Sequence, residues 1–211
     1  MMLIIRSFII SSLFAPFLLI ASSEDQMRSD FGFLQEEEAR FGYLFDSYPP
    51  VYFPVSAHWL SSVSVTGDSL ELEDGSMWKI SHYDGRKVLS WRLNDPLIIT
   101  QNHRWFSNYK YRIINQHTGG ILEANLFLGP VVYGEHTLYV CALDAFEDLL
   151  LIDSRGEITR WEIASNDRWI FQNWALNDAV IIGQNSGWDA DYECILININ
   201  INEFVRARQR P

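Results

Sequence analysis

Few residues of this 211-residue chain are spaced as catalytic or metal-binding groups usually are. The five histidines stand apart, and none belongs to an H-x-H or H-E-x-x-H pair. The densest acidic cluster, WDADYE, carries Asp189, Asp191 and Glu193. It offers the oxygen ligands that calcium prefers, but it lacks the glycine and the final glutamate of a calcium-binding loop. We therefore interpret it as a solvated loop and predict no metal site and no cofactor.

Two carboxylates, Asp95 and Asp178, could in principle form an acid and base pair. Each follows Leu-Asn at the same place in a repeated sequence, where Asn and Asp are typical turn residues. No His, Ser, Cys, Lys or Glu is identical between the two copies, so neither copy keeps a nucleophile together with a base. The sequence predicts a protein that is not an enzyme. A hydrolase of envelope polymer, with its site between the copies, is an alternative.

The aromatic residues indicate that the protein could bind a ligand. Flat rings stack on ligands, and the candidates lie in the long loop of each copy: Trp105, Tyr109, Trp188 and Tyr192, with Trp169 in the second copy only. They would bind carbohydrate or peptide; alternatively, they fill the core. For the four tryptophans Trp78, Trp91, Trp161 and Trp174 we predict a core position.

The repeat itself is the strongest signal in the chain. WRLNDPLIITQN begins at Trp91 and WALNDAVIIGQN begins at Trp174, a shift of 83 residues. With this shift, sixteen identities fall between Trp78 and Ala124 without a gap. One half alone would bury only about 60% of its surface, so we expect the two halves to pack together.

Within each copy the pattern is that of β-strands. LELEDGSMWKI alternates around the turn pair Asp74-Gly75, and the second copy needs a longer turn at 153–156. Strands are also predicted at 87–91 and 97–101, and on both sides of a turn at 117–120. The sequence predicts an all-β fold of two tandem, pseudo-symmetric, small antiparallel barrel or sandwich units, residues 56–131 and 132–211.

The N-terminal region resembles an export signal. Arg6, a short apolar run and small residues predict a signal peptide over residues 1–23, and the run is too short for a membrane span. Residues 24–55 are predicted to hold a short helix and a proline-rich linker. Without residues 1–23 the chain has 15 cations and 27 anions, a net charge of −12, which disfavours nucleic acid as a partner. No membrane span is expected after cleavage.

Cys141 and Cys194 are the two cysteines. In an oxidising compartment they could form a disulfide, and as free thiols they would behave as small buried hydrophobes. The sequence leaves both alternatives open.

The amino-acid sequence of the repeat, from Trp78 to Pro130 and from Trp161 to Arg208, resembles that of a group of uncharacterised exported proteins from chlamydia-like intracellular bacteria. The resemblance implies a bacterial origin, export and a tandem W…ND…II…QN unit. It implies no activity or catalytic residue. Together these observations predict a non-catalytic exported protein, periplasmic, envelope-bound or secreted, that binds an envelope protein or polymer or has a structural role.

Overall fold

The computed structural model describes residues 55–143, 148–187 and 191–211. The predicted signal peptide and N-terminal helix lie outside these ranges. The described strands are β1 Ala57–Val63, β2 Ser69–Leu72, β3 Met77–Ile80, β4 Pro96–Gln101, β5 Tyr111–Asn115, β6 Ile121–Leu128, β7 Leu138–Leu143, β8 Asp148–Ile152, β9 Ile158–Ile163, β10 Ala179–Gln184, β11 Cys194–Asn198 and β12 Glu203–Arg210. The short helices are α1 Gly85–Val88 and α2 Arg168–Phe171, the second preceded by a 3-10 turn at Ser165–Asp167. None of the helices in these ranges has the length and apolar character needed to cross a bilayer.

The strands close into two six-stranded antiparallel barrels. The first barrel has the order β1-β2-β3-β6-β5-β4, and β1 pairs with β4 to close it. The second barrel has the order β7-β8-β9-β12-β11-β10, and β7 pairs with β10. Each barrel is built from the strands of one copy of the repeat. The predicted all-β fold with two small antiparallel barrels is confirmed.

The tryptophans of the repeat occupy equivalent places in the two barrels. Trp78 and Trp161 are completely buried, and their indole N–H groups donate to Ser76 Oγ at 3.0 Å and Thr159 Oγ1 at 2.9 Å. Trp91 and Trp174 are buried as well, which confirms the predicted core position of all four tryptophans.

The predicted strand at 87–91 is wrong. Residues Gly85–Val88 form α1, and the matching residues of the second copy form α2. Val88 and Trp91 are three residues apart, so a helical turn brings both side chains to the core side, which a strand would not do. The turn is fixed to β6 because Asp84 Oδ2 accepts the backbone N–H of Glu123 at 2.9 Å.

The two barrels share an apolar wall made by β10 and β11. Successive residues of a strand face opposite sides of the sheet, and both sides are buried here, which explains the nearly continuous apolar sequence of these strands. One side contributes Val180, Ile182 and Leu196 to the core of the second barrel. The other side contributes Ile181, Ile195 and Ile197 to the core of the first barrel. The expected packing of the two halves is therefore present.

Direct strand pairing between the described parts of the barrels is limited to one parallel bridge, from Thr100 on β4 to Gln184 on β10. Beside it, Gly183 takes the place that Thr100 has in the first copy. A Cβ atom on Gly183 would lie 2.7 Å from the carbonyl oxygen of Ile99 and 2.8 Å from Cγ1 of Ile195. The absence of a side chain at Gly183 is what allows the close approach of the two barrels.

Gly183→Ala is expected to lower the free energy of unfolding by about 1–3 kcal/mol, because its methyl group overlaps backbone that cannot move independently. Urea denaturation of the two proteins measures the difference. Gly119→Asn is the control, since Gly119 has a left-handed φ of 69° that asparagine tolerates and open space around it. Equal stability of Gly183→Ala and the parent would contradict the tight junction.

Candidate functional site

A groove of about 840 Å³ lies between the two barrels. Because β4 and β10 run parallel at the junction, the loops that follow them leave the barrels at the same end. The groove is lined by these loops and by β12, with Gln101, Ser107, Tyr109, Asn185, Phe204 and Arg206 among the lining residues. The groove therefore exists only where the two copies meet.

Side-chain amides join the two loops at the base of the groove. Gln101 donates through Nε2 to Asn185 Oδ1 at 2.8 Å, and its Oε1 accepts the backbone N–H of Ser186 at 2.9 Å. His103 Nε2 lies 3.2 Å from Ser186 Oγ. His103 and Ser186 are equivalent positions of the two copies, so the same loop of each barrel meets at the groove.

The asparagine of the repeated Gln-Asn pair shapes each loop. Asn102 donates through Nδ2 to the carbonyl oxygen of Tyr109 at 2.9 Å, and Asn185 donates to that of Tyr192 at 2.7 Å. The first loop is thereby folded back so that Trp105 and Phe106 stand at its tip, 95% and 99% exposed. Two adjacent exposed rings are uncommon on a protein surface unless they contact a partner.

The structure places the predicted aromatic residues in different surroundings. Tyr109 is half-buried and lines the groove, and Trp105 lies in the same loop. Tyr192 is half-buried with the Arg208 guanidinium 5.6 Å from its ring centre, and it does not line the groove. Trp169 is 70% exposed on α2 and does not line the groove either. Trp188 lies outside the described residues.

Lys110 and Arg206, which line the groove, are each paired with a carboxylate. Lys110 Nζ lies 2.9 Å from Glu203 Oε1, and Arg206 contacts both oxygens of Asp167 at 2.9 Å. The groove thus offers amide and hydroxyl groups with balanced charge. At the positions equivalent to Lys110 and Arg206, the other copy has Glu193 and Glu123. The lining chemistry of this groove is therefore not repeated by the pseudo-symmetry.

A second polar contact between the barrels is buried and carries charge. His58 on β1 lies 2.8 Å from Glu73 Oε1 through Nδ1, and its Nε2 lies 2.7 Å from the carbonyl oxygen of Ile182 on β10. Both partners only accept hydrogen bonds, so both ring nitrogens must carry protons. Burial alone lowers the pKa of His58, but the hydrogen bond and the charge of Glu73 outweigh it and raise the pKa to about 9. This histidine has no free nitrogen to act as a base.

The pair makes stability depend on pH. Because the pKa of His58 rises on folding from 6.5 to about 9, its contribution is complete below 6.5 and is lost as pH rises through 9. We expect the parent to lose about 3 kcal/mol more than His58→Gln between about pH 6 and about pH 10. Urea denaturation at the two pH values measures the loss of unfolding free energy in each protein. Equal losses of unfolding free energy in the two proteins would show that His58 is not charged in the folded state.

The two aspartates considered for catalysis serve the turns before β4 and β10. Asp95 Oδ2 accepts the backbone N–H of Arg92 at 2.9 Å and the buried amide of Asn115 at 2.6 Å. Asp178 Oδ2 accepts the backbone N–H of Ala175 at 2.8 Å and the buried amide of Asn198 at 2.6 Å. The asparagines that precede them have left-handed φ angles of 64° and 67°. These carboxylates are part of the scaffold in both barrels.

Asp95→Ala and Asp178→Ala should each lower the free energy of unfolding by about 3 kcal/mol, because a buried asparagine amide loses its acceptor. The loss at Asp178 is expected to be at least as large as that at Asp95, since Asp178 Oδ1 also accepts from Asn200 Nδ2 at 2.7 Å. Chemical denaturation checks this, with Glu157→Ala, an exposed side chain, as the control. A loss of under about 1 kcal/mol at either aspartate would contradict a scaffold role.

Cys141 and Cys194 are both free thiols. The sequence left a disulfide and two free thiols open, and the structure has the free thiols. Burial, together with the charge of Glu193, raises the pKa of Cys194 to about 12. Over the described ranges, no three His, Cys, Asp or Glu side chains are grouped so that they could hold a metal ion.

Comparison with protein-family models, curated proteins and solved structures finds no match to this chain. The site has to be interpreted from its own geometry.

Sequence reasoning misses the residues that form the base of the groove. Because both copies contain Gln-Asn, the pattern assigns Gln101 and Asn185 to the turns and hairpins of the scaffold. The amides lie next to the candidate aromatic residues in sequence, which is a signal for a site. The sequence does not show how the two barrels meet, however, and only that contact places Gln101 of one copy against Asn185 of the other.

Proposed function

We propose that the protein is a non-catalytic exported binding protein of the bacterial cell envelope, and that it holds a neutral saccharide in the groove between its barrels. The observation that carries the proposal is a groove lined by amide and hydroxyl groups, in which Lys110 and Arg206 are both paired with carboxylates, together with the exposed Trp105 and Phe106 rings in one of the loops that line it. Export is supported by the pattern of residues 1–23 and by the resemblance in the repeat sequence.

A saccharide matches the chemistry of this groove. Sugar hydroxyl groups both donate and accept hydrogen bonds, and the side-chain amide of Asn108 in the groove lining can do the same. Asn102 and Ser107 line the groove as well, and they hold the loop through bonds to each other and to Glu123. Lys110 and Arg206 are already paired with carboxylates, so a charged ligand would have to displace an existing ion pair. The apolar face of a sugar ring can cover an exposed aromatic ring, which removes apolar surface from water.

An extended peptide is a poorer fit. Such peptides commonly bind by adding a strand to an exposed sheet edge. Within the described residues both barrels are closed, and every strand has a neighbour on each side. A peptide would have to bind through side chains alone.

A non-catalytic role is supported by the chemistry at the junction. Both nitrogens of His58 are occupied, and Asp95 and Asp178 each accept hydrogen bonds that hold a turn of the scaffold. A hydrolase would need a base with a free acceptor close to a nucleophile. Among the described residues, His103 Nε2 lies 3.2 Å from the Ser186 hydroxyl, but this contact is exposed to solvent and the hydroxyl donates to Gln101 Oε1 at 3.2 Å.

The test is a screen of neutral and acidic glycans against the full chain, followed by calorimetric titration of the best ligand. Trp105→Ala combined with Phe106→Ala should weaken binding by about tenfold or more, since one stacked ring contributes on the order of 1 kcal/mol. Asn102→Ala is less suitable because it also reshapes the loop.

Trp169→Ala is the matched control, because it also removes an exposed indole but lies on α2, outside the two loops that form the groove. It should leave affinity unchanged. If no glycan binds, or if Trp169→Ala weakens binding as much as the double variant, the groove is not the saccharide site.

A further inference from the structure

A second cavity, of about 570 Å³, is formed by the segment that connects the two copies. Residues 129–137 join β6 to β7, and three of them, Pro130, Val132 and Tyr133, line the cavity together with Tyr139 of β7. The opposite wall comes from the turn between β8 and β9 and from residues next to β10 and β11. The connecting segment crosses the boundary between the two units and forms no strand, so its construction is not dictated by the barrel fold.

Tyr133 is held in an unfavourable backbone conformation. Its φ angle is 58°, in the left-handed region that bulky side chains rarely adopt. The conformation is fixed because the backbone N–H of Tyr133 donates to the hydroxyl of Tyr139 at 2.6 Å. The adjoining turn is closed by Thr137, which donates from Oγ1 to the carbonyl oxygen of Val131 at 2.7 Å. Strain of this kind is typical of functional positions, where surrounding contacts maintain it.

The strained backbone brings two aromatic rings together at the cavity. The ring centres of Tyr133 and Tyr139 are 5.8 Å apart, and the ring planes are inclined by 36°. Tyr133 is nevertheless 85% exposed, so burial of its ring does not compensate for the strain. The faces of tyrosine rings are negative because of the ring quadrupole, and a cation at the open side of such a pair can lie within about 6 Å of both centres.

One carboxylate lines the same cavity, and a second lies behind its wall. Among the described residues that line it, Asp153 alone is charged, and the Asp153 pKa is held below its usual range, chiefly by the backbone N–H of Glu157. Asn200, also in the lining, donates to Asp178 Oδ1 at 2.7 Å and so places a second carboxylate directly behind the wall. Arg155 lies 3.4 Å from Asp153, but its side chain is largely exposed and does not line the cavity. Among the described residues, the lining of the cavity therefore carries two aromatic rings and one carboxylate, and it contains no cationic side chain.

We propose that this cavity binds an alkylammonium cation, with the cationic group against Tyr133 and Tyr139 and within reach of Asp153. Such a ligand uses both features of the cavity, the aromatic faces and the negative charge, whereas a neutral apolar ligand uses only the first. An anionic ligand would be repelled by Asp153 and Asp178. This proposal is independent of saccharide binding in the groove, because the two sites have no lining residue in common.

Choline and its neutral isostere 3,3-dimethylbutan-1-ol are the probes, since they differ in charge but hardly in shape. Each is titrated into the full chain and followed by NMR shifts of backbone amides around Tyr133. Choline is expected to bind at least tenfold more tightly than the isostere. Equal binding of the two probes, or no binding of choline, would overturn the proposal.

Variants separate binding from folding. Tyr133→Asn removes the ring and keeps a residue that tolerates the left-handed backbone, so stability should be unchanged or higher while choline affinity falls at least fivefold. Asp153→Asn should weaken choline but leave the isostere unaffected. Tyr83→Ala is the control, an exposed tyrosine outside the cavity, and it should bind choline like the parent. If Tyr133→Asn and Asp153→Asn both bind choline as the parent does, the cavity is not the site.

Vesicles of phosphatidylcholine and of phosphatidylglycerol distinguish the source of the cation. Co-sedimentation with the first kind alone, lost in Tyr133→Asn, would support the site and identify a lipid headgroup as its ligand. Binding of free choline without vesicle binding would support the site for a soluble cation.

Discussion

The two barrels depend on one shared wall, because β10 and β11 are apolar on both sides and neither side can face water without cost. One side completes the core of the second barrel, and the other packs into the core of the first through Ile181, Ile195 and Ile197. Burial of apolar surface on both sides is the dominant stabilising term of the junction. Gly183 lets the backbones approach, and the polar contacts of Gln101 and His58 complete the junction.

Both candidate sites follow from this junction. The groove forms where the loops after β4 and β10 emerge side by side, and the second cavity forms where the connecting segment passes over the start of β10. A barrel built from one copy would have neither. Duplication thus provided two copies of a scaffold and, at their contact, surfaces that a single copy lacks.

Several residues that both copies share maintain the scaffold, whereas the charged residues of the groove differ between the copies. Asp95 and Asp178 have the same turn contacts, and Trp78 and Trp161 have the same buried indole bonds. Lys110, in contrast, corresponds to Glu193. Identity between copies is selected where both barrels need the same packing, whereas the junction is asymmetric in its surroundings and imposes no such requirement.

The sequence by itself determined the duplication, the strands around the turns at 74–75 and 117–120, and the buried tryptophans, because alternation and turn residues act over a few neighbouring positions. It failed at 87–91, where a core contact of Val88 and Trp91 selects a helical turn over a strand. Tyr109 lines the groove, but its counterpart Tyr192 lies under Arg208 instead, so the symmetry of the repeat does not predict which ring reaches a site. Only the tertiary structure decided that Gln101 meets Asn185 and that Tyr133 meets Tyr139, since contacts between barrels depend on how their apolar walls fit together and leave no periodic trace along the chain.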